Sequence, residues 1–523
     1  MTQHVLAVDL GTGGPKVAVV TLDGEVLAHE IETTELILFP GGGAEQDPAD
    51  WWRAITTAAR RLLARDVVDP ATIVAVALTS QWFGTVAIGP EGDHLHNAVI
   101  WMDSRGGKYA EALTDGFPKV SGYSARKALQ WVRITGGIPS NTGKDPLGHI
   151  LFLRNEYPEV YERAAVFLEP VDYLAYRLTG KIAATPASIT GHWLTDNRNL
   201  DSVRYDPTLV AASGIPRTKL PDLVPTASVL GTVMPHVAAE LGVPETAKVI
   251  MGTADNASAA VGSGAVADFA THLYIGTSSW VTCHMSEKKT DLIRSVTTLP
   301  SGIPNKYIVA VEQESAGLCV TSLRDKWLYG EGPLGVAAPD DFFARFNEAA
   351  ASVPAGSEGL LFFPWINGER TPVEDHLIRG GFFNLQLTHN RSHMARSVLE
   401  GVALNTAWMH QAVERFTKRR LDNIRFIGGG ARSELWCQIL ADCLNRKIQQ
   451  VDDPATAGSR GAALIAAVTL GHLSSWDDIG DRVGVTKVFS PNPATRAVYQ
   501  QLLGVFTDFY GATKKLSARL NHH

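Results

Sequence analysis

The N-terminal part of the chain alternates short apolar runs with turn residues. Residues 5–10 are apolar except for Asp9, and the turn sequence Gly11-Thr12-Gly13-Gly14 follows them. A second apolar run, 17–22, and the mixed segment 25–32 are separated by Asp-Gly, which is typical of a tight hairpin. The pattern predicts three consecutive antiparallel strands.

Helical periodicity begins after these strands. Between Pro48 and Arg65 the large apolar residues recur on one helical face, and Asp47 or Asp50 could cap the first turn. The continuous apolar run at 73–80 then predicts a buried strand.

A similar arrangement recurs half a chain later. Residues 248–266 predict a strand, a loop and a helix of small residues, and 271–285 repeat the strand, Gly-Thr turn and strand of the N-terminus. Helical patterns at 392–416 and 428–444 flank one more strand. We therefore expect two related domains, 1–247 and 248–523, with the boundary near 245–250 after a stretch rich in proline.

Composition restricts the function. The 523 residues are 45% hydrophobic and 19% charged, which excludes a disordered chain. The net charge of -7 argues against a nucleic-acid-binding surface, and we find no apolar stretch approaching the ~18 residues of a membrane span. Four cysteines without a CxxC pair, behind an N-terminus unlike a signal peptide, predict reduced thiols in a cytoplasmic protein acting on small molecules.

The first turn carries candidate chemistry. A carboxylate such as Asp9 at a strand end can hold hydrated Mg²⁺, while the amides of Gly11 and the hydroxyl of Thr12 face phosphate oxygens. The alternative is an ordinary hairpin in which Asp9 bonds to its own turn. Gly276-Thr277 forms a second such turn, and two facing hairpins could clamp a nucleotide triphosphate.

Glycines also cluster at 428–430, between a predicted strand and a helix. The loop would let a flat ring or a phosphate approach the backbone, although a simple strand-to-helix turn is equally compatible. Other nucleotide motifs fail: the segment 136–145 has the wrong spacing for a P-loop, and Lys16 stands where a dinucleotide-binding fingerprint needs glycine.

Two further segments could bind and activate a sugar. Asp255 follows a predicted strand and could act as general base toward a hydroxyl, with Asn256 orienting the sugar, or it could simply cap the next helix. Trp101, Asp103 and Arg105 combine an aromatic face with polar groups, as sugar sites do, or form a surface ion pair beside an aromatic residue.

These pieces in this order resemble the FGGY carbohydrate kinase family, and within it the xylulose kinase branch. The resemblance covers nearly the whole chain and rests on eight segments: DLGT (9–12), EQDPADWW (45–52), WMDSR (101–105), ADNA (254–257), IGTS (275–278), FFPWINGERTP (362–372), ARSVLEGVA (395–403) and GGGARSELW (428–436). It implies an α/β fold of two actin-like, ribonuclease H-like domains, as in the sugar kinase, Hsp70 and actin superfold. The cleft between them would close during ATP-dependent phosphorylation of a sugar hydroxyl.

The resemblance also implies residue roles. Asp255 matches the catalytic base, and Asp9 matches the carboxylate near Mg²⁺. The remaining matches are the phosphate hairpins (Gly11, Thr12, Gly276, Thr277), the nucleotide border (Gly317, Thr321), the adenine side (Gly429, Gly430, Glu434) and the sugar pocket (Trp101, Asp103, Arg105, Asn256). The matched Glu369 and Arg370 are interpreted as a structural ion pair near the cleft.

Three departures bear on the substrate and on phosphate binding. Where xylulose kinases often carry Gln-Met-His-Gly, this chain has Gln81-Trp82-Phe83-Gly84, so these sugar-pocket candidates lack a histidine hydrogen bond. Pro15 removes an amide donor from the first hairpin. The Lys-x-x-Trp signature of the family is replaced around residues 144–152.

We therefore expect an ATP- and Mg²⁺-dependent kinase for a pentulose, such as D-xylulose giving xylulose 5-phosphate. Alternatives are a kinase for another ketose or a polyol, such as ribulose, glycerol or erythritol, and a non-catalytic nucleotide-dependent sugar sensor. Retention of Asp9, Thr12, Asp255 and Thr277 argues against the sensor. The family makes a homodimer a reasonable expectation.

Overall fold

The computed structural model describes residues 2–330, 332–333 and 335–521, so the outermost ends of the two predicted domains lie outside it. The strands of the described residues, numbered in chain order, are β1 (His4–Gly11), β2 (Gly14–Thr21), β3 (Val26–Ile31), β4 (Ile37–Phe39), β5 (Gly43–Gln46), β6 (Ile73–Ser80), β7 (Val86–Ile88), β8 (Ala98–Val99), β9 (Lys119–Val120), β10 (Tyr123–Ser124), β11 (Val166–Leu168), β12 (Thr195–Asp196), β13 (Arg204–Tyr205), β14 (Val229–Thr232), β15 (Lys248–Ala254), β16 (Thr271–Ile275), β17 (Ser279–Met285), β18 (Thr290–Asp291), β19 (Val296–Pro300), β20 (Tyr307–Ala310), β21 (Leu361–Phe363), β22 (Gly381–Phe383), β23 (Asn423–Ile427), β24 (Lys447–Val451) and β25 (Val485–Phe489).

The α-helices, numbered in the same way, are α1 (Pro48–Leu63), α2 (Gly107–Thr114), α3 (Ala125–Thr135), α4 (Pro146–Glu156), α5 (Pro158–Arg163), α6 (Pro170–Thr179), α7 (Pro207–Ser213), α8 (Pro235–Leu241), α9 (Asp255–Gly262), α10 (Gly317–Ser322), α11 (Phe342–Ala351), α12 (Arg391–Thr417), α13 (Glu434–Leu444), α14 (Ala457–Thr469), α15 (Ile479–Arg482) and α16 (Arg496–Asn521).

The first large sheet has the order β14-β15-β6-β1-β2-β3. The three N-terminal strands pair antiparallel, as the apolar runs predict. The central strands β1, β6 and β15 are parallel, so their carboxyl ends meet at one edge of the sheet. α1 begins where the periodicity predicts, and Asp47 is its cap, since Oδ1 accepts from the Ala49 amide at 2.7 Å.

The second large sheet repeats this plan. Its order is β18-β19-β20-β17-β16-β23-β24-β25, with an antiparallel hairpin at β16 and β17, parallel strands β16, β23 and β24, and an antiparallel strand β25 beyond them. The long helix α12 and helix α13 cover this sheet within one apolar core. The four cysteines are free and buried in the same half.

Sheet pairing differs from the predicted domain boundary. β15 pairs with β6 in the first sheet, so a division between residues 247 and 248 separates a central strand from its own sheet. The strand runs directly into α9 without the predicted loop. We therefore propose that the first domain extends through α9.

Two small-residue helices connect the halves. α9 packs on α14, and α14 in turn packs on β1 and β6 of the first sheet. The backbones touch: a Cβ on Gly262 would lie 1.8 Å from the Ala457 carbonyl oxygen, and one on Gly461 would lie 1.8 Å from the carbonyl oxygen of Ser258. Glycine is therefore required at both positions.

Candidate active site

The parallel strands of the first sheet bring two carboxylates to one edge. Asp9 lies near the end of β1, and Asp255 follows the end of β15, with β6 between the two strands. Because all three strands run in the same direction, both side chains reach the same edge of the sheet. The sequence separates them by more than 240 positions, and the fold brings them together.

Asp255 is the first residue of α9. Its Oδ1 accepts from the Asn256 amide at 2.8 Å. Burial and, next, the charge of Asp9 raise the pKa of Asp255 to about 8, and Glu312 adds to the effect. A carboxyl group with this pKa can exchange a proton near neutral pH, which a general base requires. The Oδ1 atom of Asn256 is buried without a partner among the described residues, so it can accept from a bound hydroxyl.

Asp9 sits between the two halves of the molecule. Burial raises its pKa, and the opposing charge of Lys16, its cross-strand partner, lowers it. A Cβ on Gly458, at the start of α14, would lie 2.2 Å from the Asp9 Oδ2 atom, so only glycine leaves room for the carboxylate. Lys16 is half-buried, and its Nζ donates to the Ala455 carbonyl.

The first hairpin is tied to the predicted sugar side. The Thr12 hydroxyl donates to Gln81 Oε1 at 2.9 Å and accepts from the Trp101 indole at 2.9 Å. Gln46, which the sequence reasoning did not single out, bridges the Thr12 carbonyl and the Gln81 amide. This network holds the turn and the pocket together, and the Thr12 hydroxyl is already occupied by partners.

Gly14 and Pro15 follow that turn. Gly14 has a φ of +129°, and a Cβ there would lie 2.1 Å from the Glu32 carbonyl oxygen. Pro15 is buried opposite Leu10 in β2. The turn therefore depends on glycine for its shape, and Pro15 packs inside the strand pair.

The segment after β6 forms an aromatic wall. The Trp82 indole donates to the Ser188 carbonyl at 3.0 Å, and its ring lies 4.7 Å from that of Phe83. Phe83 has a φ of 57° and also contacts Trp193 at 6.0 Å. Strain in a non-glycine residue of this kind is typical of functional sites. Both side chains are half-buried and present apolar surface where the family often has histidine.

Asp103 and Arg105 form an ion pair whose polar groups are bonded within the protein. The Asp103 carboxylate is fully buried and accepts from the Ala44 amide at 2.8 Å and from Arg105 Nε at 2.9 Å. Arg105 also pairs with Glu45 at 2.5 Å and lies 4.2 Å from the centroid of the Phe152 ring. The sequence left open whether Asp103 and Arg105 form a surface ion pair or belong to a sugar site. The surface interpretation is wrong for Asp103, because its side chain is fully buried.

The second half contributes backbone loops. The Ala316 amide donates to the Thr277 carbonyl at 2.9 Å, and the Gly317 amide donates to the Gly276 carbonyl at 2.8 Å. A Cβ on Gly317 would lie 2.2 Å from that Gly276 oxygen, so α10 begins in contact with the hairpin. Thr277 is exposed and free to meet a ligand.

The glycine loop at 428–430 lies beside the same hairpin. Gly428 has a φ of +86°, and its Cβ would lie 2.5 Å from the Ile275 carbonyl oxygen. Gly429 is exposed with no atom within 4 Å of a Cβ position. Farther out, Thr321 bonds within its own helix to Leu318, and Glu434 forms an exposed ion pair with Lys487. The second hairpin, the start of α10 and the loop at 428–430 thus converge, whereas the Thr321 and Glu434 side chains are engaged locally.

A group of charged residues that the sequence did not bring together crosses the cleft. Arg370 pairs with Glu314 at 2.6 Å and with Glu312 at 2.7 Å, and Lys144 from the first half pairs with Glu314 at 3.3 Å. The expected ion pair between Glu369 and Arg370 is wrong, because Glu369 Oε1 accepts from the Arg370 backbone amide instead. Adjacent residues on an extended segment point their side chains apart, and only the fold shows their partners.

Within the described ranges, no helix is long and apolar enough to cross a membrane, and no group of three or more His, Cys, Asp or Glu side chains is arranged to hold a metal ion.

Comparisons with known proteins agree with this architecture. The sequence matches the N-terminal domain of the FGGY family of carbohydrate kinases over residues 4–262 and its C-terminal domain over 272–470. It is 27% identical to a xylulose kinase of Bacillus subtilis over 521 residues, covering 99% of both chains. It is 24% identical to a gluconokinase of the same organism over 509 residues, covering 97% of this chain and 95% of that one.

A solved structure of gluconate kinase from Lactobacillus acidophilus superposes with a TM-score of 0.86 at 24% identity, covering 99% of this chain and 100% of that chain. The predicted fold of two actin-like domains is thereby confirmed. The chain belongs to the FGGY family of carbohydrate kinases and is a carbohydrate kinase.

Proposed function

We propose that this kinase transfers the γ-phosphoryl group of ATP to a hydroxyl of a ketopentose such as D-xylulose. The observation that carries the proposal is the convergence of Asp9 and Asp255 at one sheet edge. Tyr274, which precedes the Gly276 hairpin of the other half, lies near both carboxylates, because burial and then the charges of Asp255 and Asp9 raise its pKa. A nucleotide bound at that hairpin would place its γ-phosphate next to a sugar bound beside Asp255.

The residues present fit ATP and Mg²⁺. Gly317 and Gly428 let their segments pack against the backbone of the second hairpin, and Gly429 has nothing within 4 Å of its Cβ position, so a nucleotide can approach the loop there. Burial raises the pKa values of Asp9 and Asp255, and the charge of Asp9 adds to the effect at Asp255, so a bound cation would favour the ionised carboxylates. Asp9 would hold Mg²⁺, which when bound would neutralise charge on the phosphates.

Asp255 would act as the base. The substrate hydroxyl oxygen forms a bond to the γ-phosphorus while its proton passes to the Asp255 carboxylate. The bond between the γ-phosphorus and the bridging oxygen breaks, and ADP leaves with that electron pair. Asn256 and Trp101 would orient the sugar, and the loops at Thr12 and Thr277 would hold the phosphates in line.

Identity with xylulose kinases along the full chain supports the pentulose, while the match to a gluconokinase leaves the substrate to be tested. The aromatic wall of Trp82 and Phe83 favours stacking on sugar C–H faces. Since it lacks the family's histidine, another ketose or a polyol is the second candidate. Four buried free thiols accord with a cytoplasmic location, which we also propose.

The test is ADP release from Mg²⁺-ATP by the purified protein against ketopentoses, ketohexoses, aldoses, aldonates and polyols, beside Asp255→Ala. We expect one sugar to give strong turnover that the variant loses. Turnover unchanged in Asp255→Ala would contradict the assigned base. Nucleotide binding with no turnover on any substrate would instead favour the non-catalytic sensor.

A further inference from the structure

The charged group at the cleft consists of Lys144, Glu312, Glu314 and Arg370, here called the cross-cleft cluster. Lys144 comes from the segment before α4 in the first half, and the other three come from the second half. Their side chains are between 3% and 29% exposed. The cluster therefore lies within the cleft and lines the space between the halves.

Glu314 is the centre of this cluster. Its Oε1 accepts from Lys144 Nζ at 3.3 Å and from Asn367 Nδ2 at 3.1 Å, and its Oε2 accepts from Arg370 Nε at 2.6 Å. Burial alone would raise the pKa of Glu314, but the charges of Arg370 and Lys144 outweigh burial and lower it to about 2. Glu314 is therefore ionised and engages both cations at once.

The cluster reaches the reacting groups. The Arg370 guanidinium carbon lies 5.4 Å from the centroid of the Trp101 ring, and that indole bonds to Thr12. Glu312 contributes to the raised pKa of Asp255. The Arg370 Nη2 atom is buried and has no partner among the described residues, so one donor remains for a ligand oxygen.

Charge in the cluster is balanced, with two cations against two carboxylates. Asp9 and Asp255 then add carboxyl groups beside it, and the Lys16 ammonium is bound to a carbonyl. A sugar hydroxyl could accept from Arg370 Nη2 without adding charge. A carboxylate would bring a further negative charge to cations already paired, which electrostatics disfavours.

We propose that Glu314 determines substrate specificity by neutralising Lys144 and Arg370, so that the cleft accepts a neutral sugar or polyol and rejects the corresponding sugar acid. This inference rests on the proposed function and deepens it, since it separates ketose and polyol substrates from aldonates. Removing the Glu314 charge would free two cations to bind a carboxylate.

The experiment compares a neutral and an acidic compound of equal carbon number in each of two pairs, D-xylulose with D-xylonate and D-glucitol with D-gluconate. ADP release gives kcat/KM for each in the wild type, in Glu314→Gln and in Glu91→Gln, which makes the same charge change at an exposed position in a turn. We expect Glu314→Gln to shift the acid-to-neutral ratio toward the acid by fivefold or more, with no shift in Glu91→Gln.

The ratio separates specificity from a merely structural role. If Glu314 only stabilised closure, both members of a pair would lose activity equally and the ratio would stay within fivefold, which would overturn the proposal. A wild type that prefers the acids would overturn it as well.

Failure of the proposed function has a different signature, namely no turnover with ATP on any substrate. The same pairs are then measured for binding by calorimetry, with the same criterion for the ratio, and absence of binding overturns the proposal. If Glu314→Gln does not fold, Lys144→Met replaces it. That variant should weaken acids relative to neutral partners by fivefold or more, and an unchanged ratio counts against the proposal.

Discussion

Both halves contain the same Gly-Thr hairpin, but the residue two positions before its glycine differs between them. In the first, Asp9 stands two residues before Gly11, and in the second Tyr274 stands two residues before Gly276. Asp9 brings a carboxylate to the cleft, whereas the Tyr274 ring stacks on Trp280 at 4.0 Å. One copy thus carries a reactive group, and the other carries a packed ring at the matching place.

The next parallel strand shows the same contrast. After β6 come Gln81, Trp82 and Phe83, whose side chains form hydrogen bonds and a wall. After β23, at the corresponding position, comes the glycine loop 428–430, which offers only backbone. A shared strand order therefore supports two kinds of recognition, by side chains in the first half and by backbone in the second.

The largest expected effect comes from replacing the reactive carboxylate of Asp255 in the first half. We expect Asp255→Asn to lower kcat by about 10³-fold, because the amide cannot accept the hydroxyl proton. Nucleotide affinity, which we assign to the other half, should change little. Steady-state kinetics and ATP titration test this, and a comparable loss in ATP affinity would show that the halves do not divide the work.

The Asp255→Asn variant also tests the environment of this carboxyl group, through the pH dependence of folding stability. Burial and Asp9 raise the pKa of Asp255 to about 8, above its ordinary value, so the folded state holds this proton more tightly than the unfolded state. Its contribution to stability is complete at low pH and is lost as pH rises through about 8.

Relative to ligand-free wild type, Asp255→Asn should therefore become more stable as pH rises from 5 to 9, by about 2–4 kcal/mol. Thermal melting of both proteins across this range gives the difference. A gap in Tm that stays constant with pH would contradict the assigned shift.

In the second half the matched pair is Gly317→Ala and Gly429→Ala. The added methyl at 317 would lie 2.2 Å from the Gly276 carbonyl oxygen and must displace the hairpin, whereas the methyl at 429 meets nothing within 4 Å. We expect KM for ATP to rise about tenfold in the first and less than twofold in the second. Equal effects in the two variants would argue against recognition through the hairpin backbone.

The smallest expected effect is at the join between sugar pocket and hairpin. Trp101→Phe keeps a ring beneath Arg370 but loses the indole donor to Thr12, which should lower kcat/KM about fivefold, or about 1 kcal/mol. Trp52→Phe is the control, since its indole bonds to Glu240 away from the cleft. If Trp101→Phe leaves the kinetics unaltered, as the control does, the Thr12 network does not support the reaction.

Local pattern was enough to predict much of the fold. The hairpins, α1 and its Asp47 cap, and the paired Gly-Thr turns follow from periodicity and turn chemistry acting within a few residues. The position of Asp255 at a strand end followed in the same way. The boundary was harder, because β15 joins a sheet whose other strands lie far away in the chain.

Interactions between distant segments could not be predicted. Nothing local to Arg370 indicates that its guanidinium turns toward Glu312 and Glu314, or that Lys144 meets them from the opposite half. Likewise, the burial of Asp103 depends on Glu45, Arg105 and the Ala44 amide arriving together. Such side chains are placed by topology, which a linear pattern does not encode.

The glycine crossing of α9 and α14 has a mechanical consequence. Asp255 opens α9, and Asp9 lies against Gly458 at the start of α14, so both carboxyl groups are mounted at this crossing. When one body rotates against another, displacement grows with distance from the axis. If the two halves rotate about an axis through these touching backbones, the outer loops move far. The distance between the two carboxylates then stays nearly constant.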